Sequence, residues 1–164
     1  MRDFGRRVEQ AMVMSDLAWA RHANPWSVWT RIPILPLLAL SIWSRVWIGG
    51  WCWLPLALLI AWTLWNPRAF PPPTETDNWA SKGTFGERVW LNSDHIPIPR
   101  HHQLWARGLG LAAGLSLVPW ALGLYFLAPW AVILSSALAV AFKMWFVDRM
   151  VWLYDDMRHV PEYG

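Results

Sequence analysis

Two long stretches of this chain carry no charge at all, and they limit what it can fold into. Val46 to Pro67 is 22 uncharged residues, and Gly108 to Phe142 is 35 more. A third, Ile32 to Ser44, spans 13 residues between Arg31 and Arg45. A helix needs roughly 20 mainly apolar residues to cross a hydrocarbon core of about 30 Å. The longest stretch exceeds one crossing and suits a helical hairpin. The other two, interrupted only by Arg45, make a second hairpin. The expected fold is an all-α integral membrane protein with four transmembrane helices, near 28–47, 51–66, 104–127 and 129–150.

Prolines and glycines punctuate this pattern. Gly49-Gly50 falls where the first hairpin must turn, and Leu127-Ala128-Pro129 where the second must. Pro33, Pro36, Pro55 and Pro129 lie near helix starts, where a missing N–H costs nothing. Pro119 is inside the third span and predicts a kink there. Sixteen tryptophans among 164 residues would be an oddity in a soluble chain. Here most of them flank the uncharged stretches, as Trp26, Trp29, Trp43, Trp47, Trp51, Trp53, Trp62, Trp65 and Trp105 do. An indole with one polar N–H prefers the headgroup level, so an aromatic belt is the simplest account.

The composition sets the rest aside. A chain that is 55% hydrophobic is not disordered. Cys52 is its single cysteine, so there is no disulfide framework. The net charge of +3 does not point to nucleic acid, because the basic residues sit on one predicted face, where anionic lipid accounts for them. That face holds Arg2, Arg6, Arg7, Arg21, Arg31, Arg68, Lys82, Arg88, Arg100, Arg107, Lys143, Arg149 and Arg158; the hairpin tips share Arg45. The positive-inside rule then puts both termini and the middle loop in the cytoplasm of a multi-pass inner (plasma) membrane protein. The first 25 residues contain no apolar h-region, so no cleaved signal peptide is expected.

The chain reads as one membrane domain: an amphipathic segment over 1–25, the first hairpin over 28–66, a cytoplasmic loop over 67–103, the second hairpin over 104–153 and a tail from 154. Apolar residues at helical spacing over 2–21 suit a helix on the membrane surface or one packed on the middle loop. Within that loop, Thr84-Phe-Gly-Glu87 has capping-box spacing and predicts a short helix over 85–92. Extended stretches at Pro71-Pro72-Pro73 and before Pro99 complete a compact cytoplasmic cap.

All five histidines fall on the cytoplasmic side with nearly all the carboxylates. His22, Glu87, His101, Asp148 and Asp155 are the candidate catalytic residues; for Glu87 the simpler role is the cap. Asp148, Trp152, Asp155 and His159 share one helix face. Metal candidates are His95, His101, His102, Asp155 and His159, with Asp155 and His159 at a ligating i,i+4 spacing. Adjacent histidines such as His101 and His102 point about 100° apart on a helix, which argues against a shared ion. Arg31, Lys143 and Arg149 are headgroup candidates. Lys143 falls short of the inner surface, so it either snorkels or faces inward against a carboxylate. No phosphate-cradling glycine loop, nucleophile elbow, CxxC or HExxH occurs, and no cofactor is indicated.

The segments His22-Ala-Asn-Pro-Trp-Ser27 with Thr30-Arg31, Trp65-Asn-Pro-Arg68, Gly86-Glu-Arg-Val-Trp90 and Trp145-Phe-Val-Asp148-Arg-Met-Val-Trp152-Leu-Tyr-Asp155-Asp156 resemble a family of small prokaryotic polytopic membrane proteins catalogued as a domain of unknown function. The resemblance covers about residues 15–157. It implies membrane location and a bacterial or archaeal source, and it carries no activity. A lipid-binding or accessory membrane component is the leading expectation, with the bilayer, membrane-protein partners or further copies of the chain as its partners. The alternatives are a small enzyme acting on a lipid or isoprenoid through a cytoplasmic-face His/Asp site, and an oligomeric transporter.

Overall fold

A computed structural model describes residues 16–95 and 97–160. Among them all regular structure is helical. The helices are α1 (Asp16–His22), α2 (Pro25–Trp29), α3 (Ile34–Trp43), α4 (Arg45–Ile48), a 3-10 turn at Gly49–Cys52, α5 (Trp53–Ala69), α6 (Trp79–Leu91), α7 (Arg100–Tyr125) and α8 (Pro129–Met157). Three segments are long and apolar enough to cross a membrane: the helical run Pro25–Ala69, then Arg100–Tyr125 and Pro129–Met157. At about 1.5 Å per residue, α7 and α8 are roughly 39 and 43 Å long.

α8 begins at Pro129, where a missing first-turn N–H is harmless, and continues to Met157, beyond the expected end at 150. Its last turn carries Asp155 and Asp156, so the uncharged pattern that marks a span does not mark where the helix stops. α7 passes through Pro119 without a break in its assignment. Between them Leu127 takes a positive φ of 55°, which closes the tight link to α8.

The Pro25–Ala69 run is less regular. α3 has 10 residues, about 15 Å, and the chain then passes through α4 and a 3-10 turn before α5. Gly49 has φ 54°, a conformation glycine adopts freely. The two ends of the run meet: Ser27 Oγ donates to Asn66 Oδ1 at 2.8 Å. Opposite them, the Arg45 guanidinium donates to the Leu124 carbonyl near the end of α7.

The main apolar core joins α6, α7 and α8, with Val89, Ala106, Leu109, Phe146, Met150 and Leu153 buried together. A smaller cluster of Ala39, Leu124 and Val132 ties α3 to the far ends of α7 and α8. Elsewhere large apolar side chains stay on the outside, among them Leu58 and Leu64 of α5, Leu111 and Leu115 of α7, and Ile133 and Leu134 of α8. Faces this apolar fit a hydrocarbon solvent.

The middle-loop helix differs from its expectation. α6 starts at Trp79, six residues before the expected start at 85, because the Asn78 side chain accepts from the Ser81 N–H and caps it. Thr84 is mid-helix and donates to the Ala80 carbonyl, so it caps nothing. Of the expected amphipathic helix at 2–21, only its last turns fall within the described residues. There Ala18, Trp19 and His22 are buried against the protein.

Candidate functional site

The site is built from three places distant in the chain. The first is the junction of α1, α2 and the end of α5. Asn24 accepts from the Trp26 N–H at 2.9 Å, which caps α2, and donates through Nδ2 to the Pro71 carbonyl at 2.9 Å. The cap turns the chain so that Ser27 and Thr30 both face Asn66, which is fully buried. Ser27 Oγ donates to Asn66 Oδ1 and Asn66 Nδ2 donates to Thr30 Oγ1, each at 2.8 Å. Arg31 is then fixed by two bonds: its Nε donates to the Ser27 carbonyl at 2.8 Å and its Nη1 to His22 Nε2 at 2.7 Å.

A guanidinium can only donate, so His22 accepts at Nε2 and carries its proton on Nδ1. Burial is the main reason the ring is held neutral, with its pKa lowered from 6.5 to about 3. The Arg31 charge adds to this, the Glu87 charge opposes it, and Lys143 contributes a smaller repulsion. His22 is thus a fixed support for Arg31 across ordinary pH.

The second place is the α6–α8 crossing. A Cβ at Gly86 would lie 1.9 Å from the Met150 carbonyl oxygen, and one at Gly83 would lie 2.5 Å from Val147 Cγ1. Two hydrogens in place of side chains let the helices approach this closely. The approach carries Glu87 to Lys143, whose Nζ donates to Glu87 Oε1 at 3.2 Å. Burial alone would raise the Glu87 carboxyl, but the Lys143 and Arg31 charges outweigh it and hold it below the usual carboxylate range. Lys143 also lies 4.6 Å from the Phe146 ring centre. It therefore takes the inward-paired arrangement, with Glu87 as partner.

The third place is the middle of α7 and α8, which supplies small and apolar side chains. Together these elements enclose a cavity of about 320 Å³. Arg31, Glu87 and Lys143 are its charged lining, Thr84 adds a hydroxyl, and the rest is apolar or glycine, including Leu35, Leu117 and Val140. Two cations face one carboxylate. Lys143 has Glu87, while Arg31 has no carboxylate within ion-pair distance among the described residues. The cavity therefore offers a surplus positive charge bordered by hydrocarbon. Such a lining suits an amphiphile with an acidic head.

The other candidate residues lie apart from it. Asp148 accepts from Trp79 Nε1 at 3.1 Å and so anchors the start of α6. Asp155 pairs with Lys82 at 3.4 Å and Arg158 at 3.8 Å. His159 lies beyond the end of α8 and is exposed, as is His95. Arg149 rests between the Trp105 and Trp152 rings. His102 is buried and joined to Asp156, and His101 is beside it. Asn66 and Asp156 take part in these arrangements and are not among the sequence candidates, and Thr84, which lines the cavity, is expected from the sequence only as a helix cap. For Asn66 a signal existed: a polar residue followed by Pro67 at the end of an apolar stretch.

A family model matches residues 4–162; the family is described as one of unknown function (DUF6653). No curated protein matches the chain. No solved structure matches it either.

Proposed function

The chain belongs to that family of unknown function, and we propose that it is a lipid-binding protein of the inner membrane, holding the end of one acidic amphiphile in the Arg31–Glu87–Lys143 cavity. In this reading the Pro25–Ala69 run crosses the membrane twice. The contacts of Ser27 with Asn66 at one face and of Arg45 with Leu124 at the other support two antiparallel crossings beside α7 and α8. The basic residues at the termini and around α6 favour a cytoplasmic position for that face. The cavity is then reached from the inner leaflet. An acyl or isoprenoid chain lies among Leu35, Leu117 and Val140, and the headgroup meets Arg31 and Lys143.

One observation carries the proposal: Arg31, held in place by His22 and Ser27, has no carboxylate partner among the described residues and lines a mostly apolar cavity. A charge-assisted hydrogen bond to a phosphate contributes about 1.5–3 kcal/mol, roughly ten- to hundredfold in affinity. Native mass spectrometry of the detergent-purified chain tests it. The wild type should retain about one acidic lipid per chain. Arg31→Gln should lower retention at least tenfold, and Val140→Trp, which fills the cavity, should abolish it. Retention unchanged in both variants, or a wild type that binds neutral and acidic lipids alike, sinks the proposal.

A further inference from the structure

A second cluster lies at the opposite end of α7 from the Leu124 contact. His101 and His102 are in the first turn of α7, and Asp156 is in the last turn of α8. The two imidazole rings stack with centres 4.1 Å apart and planes inclined by 39°. This departs from the divergence expected of neighbouring helical histidines. His102 is 1% exposed, its Nε2 is 2.8 Å from Asp156 Oδ2, and its Nδ1 has no hydrogen-bond partner among the described residues. One donor atom from each of the three residues lies within 4.8 Å of the others.

We propose that His101, His102 and Asp156 bind one divalent transition-metal ion of the zinc class. Two imidazole nitrogens and a carboxylate oxygen are a borderline donor set, suited to zinc and its first-row neighbours rather than calcium or magnesium. Ligands about 2.1 Å from a tetrahedral ion stand roughly 3.4 Å from each other. The His102–Asp156 contact need open by only about half an ångström. His101 and Asp156 are exposed and free to close the remaining distance by side-chain rotation. His102 is fixed by burial and serves as the anchor. The ion takes Nε2 of His102, so the ring proton sits on Nδ1. Three protein ligands leave a fourth position for water. The ion would pin the start of α7 to the end of α8.

The test uses the full chain purified in detergent with EDTA, then dialysed and titrated with Zn2+ by calorimetry and with Co2+ by absorption. One ion per chain and tetrahedral cobalt bands in the visible are expected. Asp156→Asn and His101→Ala, both at exposed positions, should each weaken binding at least tenfold without changing helical content by circular dichroism. No binding above buffer, or equal binding by wild type and both variants, overturns the site.

Discussion

The two junctions that form the cavity are held by different forces. Where α6 lies on α8, contact is close and largely apolar: Gly83 and Gly86 admit the neighbouring backbone, and Val89, Phe146, Met150 and Leu153 are buried beside it. Where α2 meets α5, side-chain hydrogen bonds do the joining, through Ser27, Thr30, Asn66 and Arg31. The difference follows from the side chains each junction supplies. α6 brings two glycines and an apolar face to α8. The ends of the Pro25–Ala69 run meet through hydroxyl, amide and guanidinium groups, each of which needs a partner once buried. The cavity sits between the two junctions, with one cation supplied by each.

The largest expected effect breaks the apolar junction. Gly86→Ala puts a methyl carbon where the nearest atom is a backbone oxygen at 1.9 Å, which no rotamer change relieves. α6 must move off α8, at a cost of more than about 4 kcal/mol. Gly108→Ala is the control, because a Cβ there meets nothing within 4 Å. It should be neutral or gain up to about 1 kcal/mol from helix propensity. Thermal midpoints and monodispersity in detergent read both, and equal behaviour of the two variants would mean the close approach is not structural.

The polar junction should respond less. Asn66 is fully buried and bonded to two hydroxyls; Asn66→Leu strands the buried Ser27 Oγ, while Thr30 Oγ1 keeps its bond to the Trp26 carbonyl, and should cost about 1–3 kcal/mol. A cycle with Ser27→Ala should reveal a coupling of about 0.5 kcal/mol or more. Additive effects would deny that the two side chains act as one unit.

Much of the helical layout was legible because a missing charge leaves a long and unambiguous trace. Pro129 marks the start of α8 in sequence and in structure. The site was legible residue by residue and not as a whole. Arg31 and Lys143 stood out as headgroup candidates and Glu87 as a carboxylate of uncertain role. Nothing local says that Glu87 meets Lys143, 56 positions away. That meeting depends on Gly83 and Gly86, which in sequence look like weak points in a helix and in structure are the surfaces of closest approach. The same glycines, with Thr84 and Glu87 at capping-box spacing, hid the true start of α6 at Asn78. In the tail, helical spacing favoured Asp155, while the fold turns its neighbour Asp156 to His102.

The smallest expected effect concerns acid, and it separates the junctions once more. The His22 pKa is lowered from 6.5 to about 3 in the folded chain, mainly by burial. The unfolded chain therefore binds a proton first. Stability from this group is fully present above about pH 6.5 and is lost as pH falls toward 3, by about 1 kcal/mol at one unit below its ordinary pKa. The lowered Glu87 carboxyl acts in the same direction, but only below its ordinary 4.5. Between pH 6.5 and 4.5 the two can be told apart. His22→Gln keeps an acceptor for Arg31 and cannot titrate, so its thermal midpoint should fall less than that of the wild type across this window. The α6–α8 contact around Gly86, Val89 and Met150 is apolar, so an acid loss that His22→Gln removes belongs to the polar junction. An equal fall in wild type and variant would place the acid sensitivity elsewhere and remove His22 as the support that keeps Arg31 in the cavity.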